Sequence, residues 1–350
     1  MTMEWPSDET ISRVELLIQA CAGPMTQLVR PTPLAGALQI ATLQALKIHK
    51  KHPQREEELT SLLLGACVIS AQWVQQHLGP GLPTHGLDWG QFDKYGANPD
   101  SEGSTGADFA LLITFNENFA RGSVFQAKVS DSVTDVKIHR IAPFRTANVI
   151  TGQAMWPEPQ TLRLVEYGLE TITSNNEADL DWIHYCAYAP GSFFCFPLSQ
   201  ALGLIASYRG TKARADKVLK QLHEDNSAAA GISKLLKDEA EKLYSAHGRD
   251  RVIKNIHSLE LIHLLAGGAS IKPNMKAPGW LNLVGADAID NFRNTFSQDV
   301  QVVELSGLSL AGPSAEADIV SHLDQALAQY SPAMDFNPAH KPNLGKPSGP

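Results

Sequence analysis

Apolar positions recur along this chain in two ways, at helical spacing and as short runs that are apolar throughout. Together they predict an α/β protein. Residues 8–21 carry Ile11, Val14, Leu16, Leu17 and Ala20 at helical intervals. A second helix is predicted over 34–50 from Leu38, Ile40, Leu43, Leu46 and Ile48; it runs into His49-Lys50-Lys51-His52 and stops at Pro53. A third starts near Arg55 and reaches Gln76, with Glu56, Glu57 and Glu58 in its first turn, where acids suit the positive end of the helix dipole. The Gly-, Pro-, Asp- and Asn-rich stretch 79–107 reads as one long loop.

The pattern then changes. DFALLITF (108–115) is apolar on both faces, as a central strand must be, and SVFQAKVS (123–130) reads as a second strand. With NENFARG as the turn between them, the two predict an antiparallel hairpin. A helix follows over 160–174, then strands over 182–189 and 192–198 about the Pro190-Gly191 turn. Residues 199–267 read as helical, with an amphipathic segment at 234–244; GGAS (267–270) and SGLSLAGPS (306–314) read as Gly/Ser turns. VQVVEL (300–305) predicts a strand and 315–330 a helix, while the Pro-rich, apolar-poor tail 331–350 predicts disorder. The implied organisation is N-terminal helices (1–54), a sheet-containing core (55–204), a helical extension (205–330) and the tail (331–350).

Composition narrows the possibilities. A formal net charge of -8 gives no global attraction to phosphate, so any nucleic-acid contact must rest on locally concentrated cations. The densest basic run is YRGTKARADKVLKQL (208–222), whose Arg209, Lys212, Arg214 and Lys217 are the candidate DNA-contact residues; the alternative is a solvated helix face. A smaller basic run, Lys137, His139, Arg140 and Arg145, follows the second hairpin strand. The four cysteines match no zinc spacing, and Cys67 and Cys186 read as buried reduced thiols, which makes a cytoplasmic setting the default. The N-terminus lacks an apolar signal segment, and no run is long enough to span a membrane. None of the twelve histidines falls in a metalloprotease-type spacing, and His184 reads as a packed strand residue. There is no P-loop, dinucleotide fingerprint or nucleophile elbow.

One segment breaks the local rules. Gln126 and Lys128, two apart on a strand, share a face, while Phe125, Ala127 and Val129 take the other. An amide and an ammonium thus stand where core residues belong, beside the strand that Asp108 opens. A carboxylate and a neutral oxygen suit Mg²⁺, and a lysine beside them suits phosphodiester hydrolysis. The acid-started helix REEELT (55–60), then GADFALLI, then FQAK, resembles the PD-(D/E)xK nuclease superfamily in its variant with Gln in the third motif. It is similar to bacterial restriction and anti-phage defence nucleases, and the likeness covers roughly 55–200. The family's usual Pro before Asp is replaced by Ala107.

The resemblance implies a restriction-endonuclease-like core, a central mixed sheet flanked by helices, with additional helical segments. It implies an endonuclease that uses Mg²⁺ (or Mn²⁺) to cut DNA in a defence system. Asp108, Gln126 and Glu56 would hold the metal, with Lys128 catalytic. Glu57 is a second candidate for the helix glutamate and Glu102 a further acid. DNA is the implied partner; a second protein subunit and a homo-oligomeric state are left open. The alternative is a catalytically inactive nuclease-fold subunit that binds nucleic acid or protein.

Overall fold

A computed structural model describes residues 32–78, 85–94, 101–132, 135–146, 154–247, 251–253, 259–273 and 275–303. The predicted helices at 8–21 and 315–330, the tail and the 306–314 turn lie outside these residues. Helix α1 (Pro33–Lys51) opens on Thr32, whose hydroxyl accepts from the Ala35 amide at 3.3 Å with Pro at the first helical turn, and it closes on His49, Lys50 and Lys51. Helix α2 (Glu56–Leu78) is capped by the Glu58 carboxylate, which accepts from the Arg55 amide at 3.0 Å. Strand β1 (Gly86–Gln91) and the short helix α3 (Glu102–Thr105) precede the hairpin β2 (Phe109–Asn116) and β3 (Phe119–Val129). Next come β4 (Asp135–Lys137), β5 (Ile141–Ala142), β6 (Glu158–Pro159) and α4 (Gln160–Thr171). A second hairpin, β7 (Ile183–Ala189) and β8 (Ser192–Pro197), leads to α5 (Leu202–Asn226) and α6 (Ile232–Tyr244). The remaining elements are β9 (Arg251–Ile253), β10 (Leu259–Glu260), α7 (Leu261–Ser270), β11 (Leu281–Val284), α8 (Ala286–Arg293) and β12 (Gln298–Val303).

The fold is α/β, with a mixed sheet between helical layers. Strand order is β10-β8-β7-β3-β2-β1-β12, with β11 pairing the early half of β3. β1, β2 and β3 form an antiparallel meander, and β3 and β7 run parallel, joined through α4. The predicted hairpin is therefore central. Alternation sorts its side chains cleanly. Phe109, Leu111, Ile113, Phe125 and Ala127 join the core under α1, α2 and α7; Ala110, Leu112, Val124, Tyr185 and Ala187 join the core under α4, α5 and α6.

Register is locked by an aromatic ladder on the first face. Trp89 stacks on Phe109 at 4.5 Å between ring centroids, Phe109 on Phe125 at 4.7 Å, and Phe125 on His184 at 5.5 Å. A one-residue slip of β3 would send Phe125 to the opposite face and undo the stack. That lock decides which polar groups meet one position along, on the other face.

Several elements differ from expectation for identifiable reasons. The 79–107 loop contains β1 and α3; Gly90 reads as a loop residue, but the Phe296 ring occupies the space its side chain would need. The 267–270 turn is the end of α7, where Gly268 makes room for Trp280. β9 and β10 interrupt the helical stretch 199–267, and the turn between β2 and β3 is only Glu117-Asn118. The core does not close at 204, because β10, β11 and β12 all pair into the main sheet. Among the described residues, no helix is long and apolar enough to cross a membrane.

Candidate functional site

Asp108 lies where α3 hands the chain to β2. The turn needs Gly106, whose φ is 78°; a Cβ there would sit 2.8 Å from the Gln160 carbonyl, so only glycine lets the turn seat against the start of α4. The Asp108 amide donates to the Phe125 carbonyl at 2.9 Å, extending the hairpin by one residue and setting its side chain beside Gln126.

The three residues singled out from the sequence converge. The Gln126 amide nitrogen donates to Asp108 Oδ2, and the Ala127 backbone N–H donates to the same oxygen at 2.6 Å. Gln126 has no exposed surface, and its Oε1 has no hydrogen-bond partner. Lys128 is buried; its Nζ donates to the Ala127 carbonyl at 2.7 Å and lies 3.4 Å from Glu56 Oε1. The first turn of α2 thus reaches the end of β3. Phe125 and Ala127 face the opposite core, as period-two alternation requires.

The candidate acids separate. Glu56 and Glu102 both lie close enough to Asp108 to act on its charge, whereas Glu57 is exposed at the cavity wall and pairs with Lys94, which holds its carboxyl below the usual range. Glu102 is nearly buried; it accepts from Arg140 at 3.1 Å and from the Gln160 side-chain amide at 3.4 Å. Burial pushes the Asp108 carboxyl up to about 7, against the opposing pull of Lys128, and the negative charges of Glu102 and Glu56 add to the rise. A carboxyl that is half protonated near neutral pH is a common mark of a working site.

A cavity of about 180 Å³ opens here, and Asp108 is the member of the trio that faces it. Glu56, Thr60, Trp89, Phe109 and Glu102 line it, and Lys94 and Arg140 contribute the basic part of its wall. Thr60 Oγ1 lies 3.1 Å from the Tyr188 hydroxyl, which fixes α2 to β7 beside the cavity. Among the described residues, no three His, Cys, Asp or Glu side chains gather tightly enough to hold a metal by themselves. Gln126 turns its amide nitrogen toward Asp108 and leaves Oε1 unpartnered; a flipped amide would set a neutral oxygen beside the carboxylate, a donor pair of the chemistry a hard divalent cation takes.

The basic run on α5 has a different character. Arg209 lies 2.5 Å from Glu177, while Lys212 pairs with Glu158 and lies 3.8 Å from Glu166. Arg214 and Lys217 are exposed. Lys217 and Lys220 line a separate cavity of about 520 Å³ with Glu158, Glu166, Lys212 and Asp216. Of the four candidate contact residues, Lys212 is thus committed to the interior, Arg209 is paired at the surface, and two present their charge to solvent.

The sequence reading missed Gln160 and Lys94. Gln160 opens an amphipathic helix, and no periodicity distinguishes it from an ordinary first-turn residue; Lys94 lies in a stretch taken for a loop. Of the structural histidines, His184 donates to or accepts from nothing catalytic: its Nε2 lies 2.9 Å from the Gly279 carbonyl, and burial lowers its pKa to about 4. Cys67, Cys186 and Cys195 are buried and free. No protein-family model, curated protein or solved structure matches the chain.

Proposed function

We propose that this chain is a divalent-metal-dependent nuclease that hydrolyses DNA phosphodiester bonds, working as the effector of a bacterial restriction or anti-phage system. The observation that supports it most is the meeting of Asp108, Gln126 and Lys128 on one strand face, with Glu56 alongside and a buried amide oxygen left unpaired. A buried polar atom without a partner costs about 1–3 kcal/mol, and sites that bind ions are where such atoms gain a partner.

Asp108 and the Gln126 carbonyl would hold Mg²⁺ or Mn²⁺, with Glu56 or Glu102 completing the set. The ion would supply an activated water and neutralise charge on the phosphate. Lys128 would place an ammonium beside the attacked phosphate and stabilise its growing charge. Glu56 orients that ammonium, and the Ala127 N–H fixes the Asp108 carboxylate through Oδ2. The restriction-endonuclease-like reading of the core is supported by the central position of the hairpin in a mixed sheet with helices on both faces.

The test is cleavage of plasmid and linear DNA with Mg²⁺ or Mn²⁺ by the full chain and by Lys128→Ala. Isothermal titration of Mn²⁺ into the wild type and Asp108→Ala serves as the second readout. Cutting that Lys128→Ala abolishes, with Mn²⁺ uptake that Asp108→Ala removes, supports the proposal. Equal cutting by both proteins counts against Lys128. DNA binding without cleavage would favour the inactive nuclease-fold subunit.

A further inference from the structure

The nuclease reading assigns no group to hold the DNA backbone, and the α5 lysines and arginines partly compensate acids. The cavity itself carries two cations that this reading leaves without a role. Arg140 lines it and keeps half its side chain exposed (49%) while paired with Glu102; Lys94 also lines it, 38% exposed and paired with Glu57. Arg140 comes from the segment after β4, and Lys94 from the segment after β1, so the two are held independently. Both partner carboxylates belong to the cavity wall as well.

The volume constrains what enters. At about 180 Å³ the cavity is smaller than the roughly 300–1,000 Å³ of sites that enclose a small molecule. A nucleotide cannot be swallowed whole. A strand lying across the mouth, with one phosphate dipping toward Asp108, is the arrangement the size allows.

We infer that Arg140 and Lys94 grip the DNA backbone at the mouth of this cavity, and that Glu102 and Glu57 stand in for phosphate when no DNA is bound. The inference rests on the nuclease reading for the substrate, but not for its chemistry. The Lys94–Glu57 pair is exposed on both sides and contributes about 0–1 kcal/mol, so exchanging its carboxylate for a phosphate costs little. Glu102 is buried, and the Gln160 side-chain amide remains its donor when Arg140 turns to phosphate. The Arg140 fork matches two phosphate oxygens, and Lys94 acts as a point charge.

The experiment is fluorescence anisotropy of a labelled DNA duplex with the full chain in Ca²⁺, repeated over a salt series, together with steady-state cleavage in Mg²⁺. Arg140→Ala and Lys94→Ala should each weaken binding about tenfold and lower the slope of log affinity on log salt by about one, with the cleavage loss falling on KM. Glu57→Gln, which weakens the hold of that carboxylate on Lys94, should tighten binding about two- to threefold, an effect no merely structural role of the pair produces. Arg140→Lys keeps the charge and should keep the slope, which guards against misfolding of the alanine variant. Wild-type affinity and slope in both alanine variants, or a loss falling on kcat alone, would overturn the grip. The two readings can fail separately. DNA binding with these slopes but no cutting removes the nuclease and leaves the grip. Cutting that depends on Lys128 with unchanged slopes removes the grip and leaves the nuclease. A wild type that binds no DNA overturns both.

Discussion

The seam between α4 and α5 and the open end of the β2–β3 hairpin both draw charge into the protein, and they treat it in opposite ways. At the seam, Arg163 Nε lies 3.4 Å from Glu158, Lys212 pairs with the same carboxylate, and Glu166 lies 3.8 Å from Lys212. Each of these acids faces a base, and the cluster joins two helices. At the hairpin end, Asp108 sits within reach of two further carboxylates, its own pKa is displaced upward, and a buried amide oxygen finds no donor. The first is tied by direct ion pairs, although Arg163 Nε there has no hydrogen-bond partner and Glu166 is also displaced upward. In the second, Asp108 accepts from neutral N–H groups and faces a cavity. The sequence singled out Lys212 as a DNA contact and Asp108, Gln126 and Lys128 as a catalytic set; the structure gives Lys212 an acid partner and brings the other three together.

The sharpest break of this contrast is at Lys128. If the hairpin end is a catalytic centre, Lys128→Ala should reduce metal-dependent DNA cleavage by roughly 10²–10³-fold, the scale of losing one positioned charge at a developing anion. Cleavage initial rates at saturating DNA measure it. A seam variant such as Lys212→Ala should leave the same rate unaltered. Rates that fall equally in both would erase the distinction.

Asp108 offers a thermodynamic version of the same comparison. Its carboxyl titrates near 3.8 when unfolded and at about 7 when folded. Between those values the folded state holds more protons than the unfolded one, so stability declines as pH rises across the window. Asp108→Asn removes the penalty and leaves an oxygen able to accept from Ala127. In metal-free buffer it should be more stable than the wild type by about 2 kcal/mol at pH 8, with the gap shrinking toward pH 4. Urea melts at several pH values decide it. A gap constant with pH would mean that Asp108 is an ordinary solvated carboxylate, and one of opposite sign that the fold stabilises its charged form. Added Mg²⁺ should stabilise the wild type and not the variant.

How much of this was legible beforehand follows from what each signal depends on. The Gln-x-Lys break in an apolar strand is local, and period two alone puts Gln126 and Lys128 on one face. The central hairpin was equally visible, because both of its strands are apolar enough to be covered on two sides. The acid from α2 was only half legible: Glu56 and Glu57 are neighbours in a helix start, and only the packing of α2 across β7 decides that Glu56 meets Lys128. Arg140 was visible as part of a basic run, but its seat on Glu102 is not local, since their contact spans 38 residues. β1 and the last turn of α7 escaped because glycines that signal turns serve here as gaps for Phe296 and Trp280. The acids of the seam were invisible for a related reason. A basic run on one helix shows its own charge, while the acids that cancel it lie on Glu158 and Glu166, far away in the chain.

Lys212 tests the claim that the seam is structural. Its side chain is one-third exposed, and Glu158 is nearly buried between it and Arg163. Lys212→Ala takes one of two cations from that carboxylate. Removing a partner from a fully buried pair costs about 3–5 kcal/mol, and solvent access with a retained Arg163 reduces this to about 1–2 kcal/mol. Thermal or urea unfolding should show that loss, whereas DNA affinity should move little. A variant with wild-type stability and strongly weakened DNA binding would return Lys212 to the contact surface.

The smallest effect belongs to Arg214 and Lys217, and it refines the comparison within α5 itself. Both are exposed, so replacing them exposes no unpaired partner in the core and should change stability by no more than about 0.5 kcal/mol. Their contribution to DNA binding, if α5 borders the bound duplex, is long-range and screened, so it should appear only at low salt and vanish within a Debye length of about 10 Å at 0.1 M. The double variant Arg214→Ala, Lys217→Ala should therefore bind duplex DNA a few-fold more weakly at low ionic strength and equally well near 0.15 M. Phosphates touched directly would give a different result: a slope on log salt lower by about two and a deficit that persists at physiological salt. That outcome would move the DNA track from the cavity mouth onto α5. No difference at any salt would confine it to Arg140, Lys94 and the hairpin end.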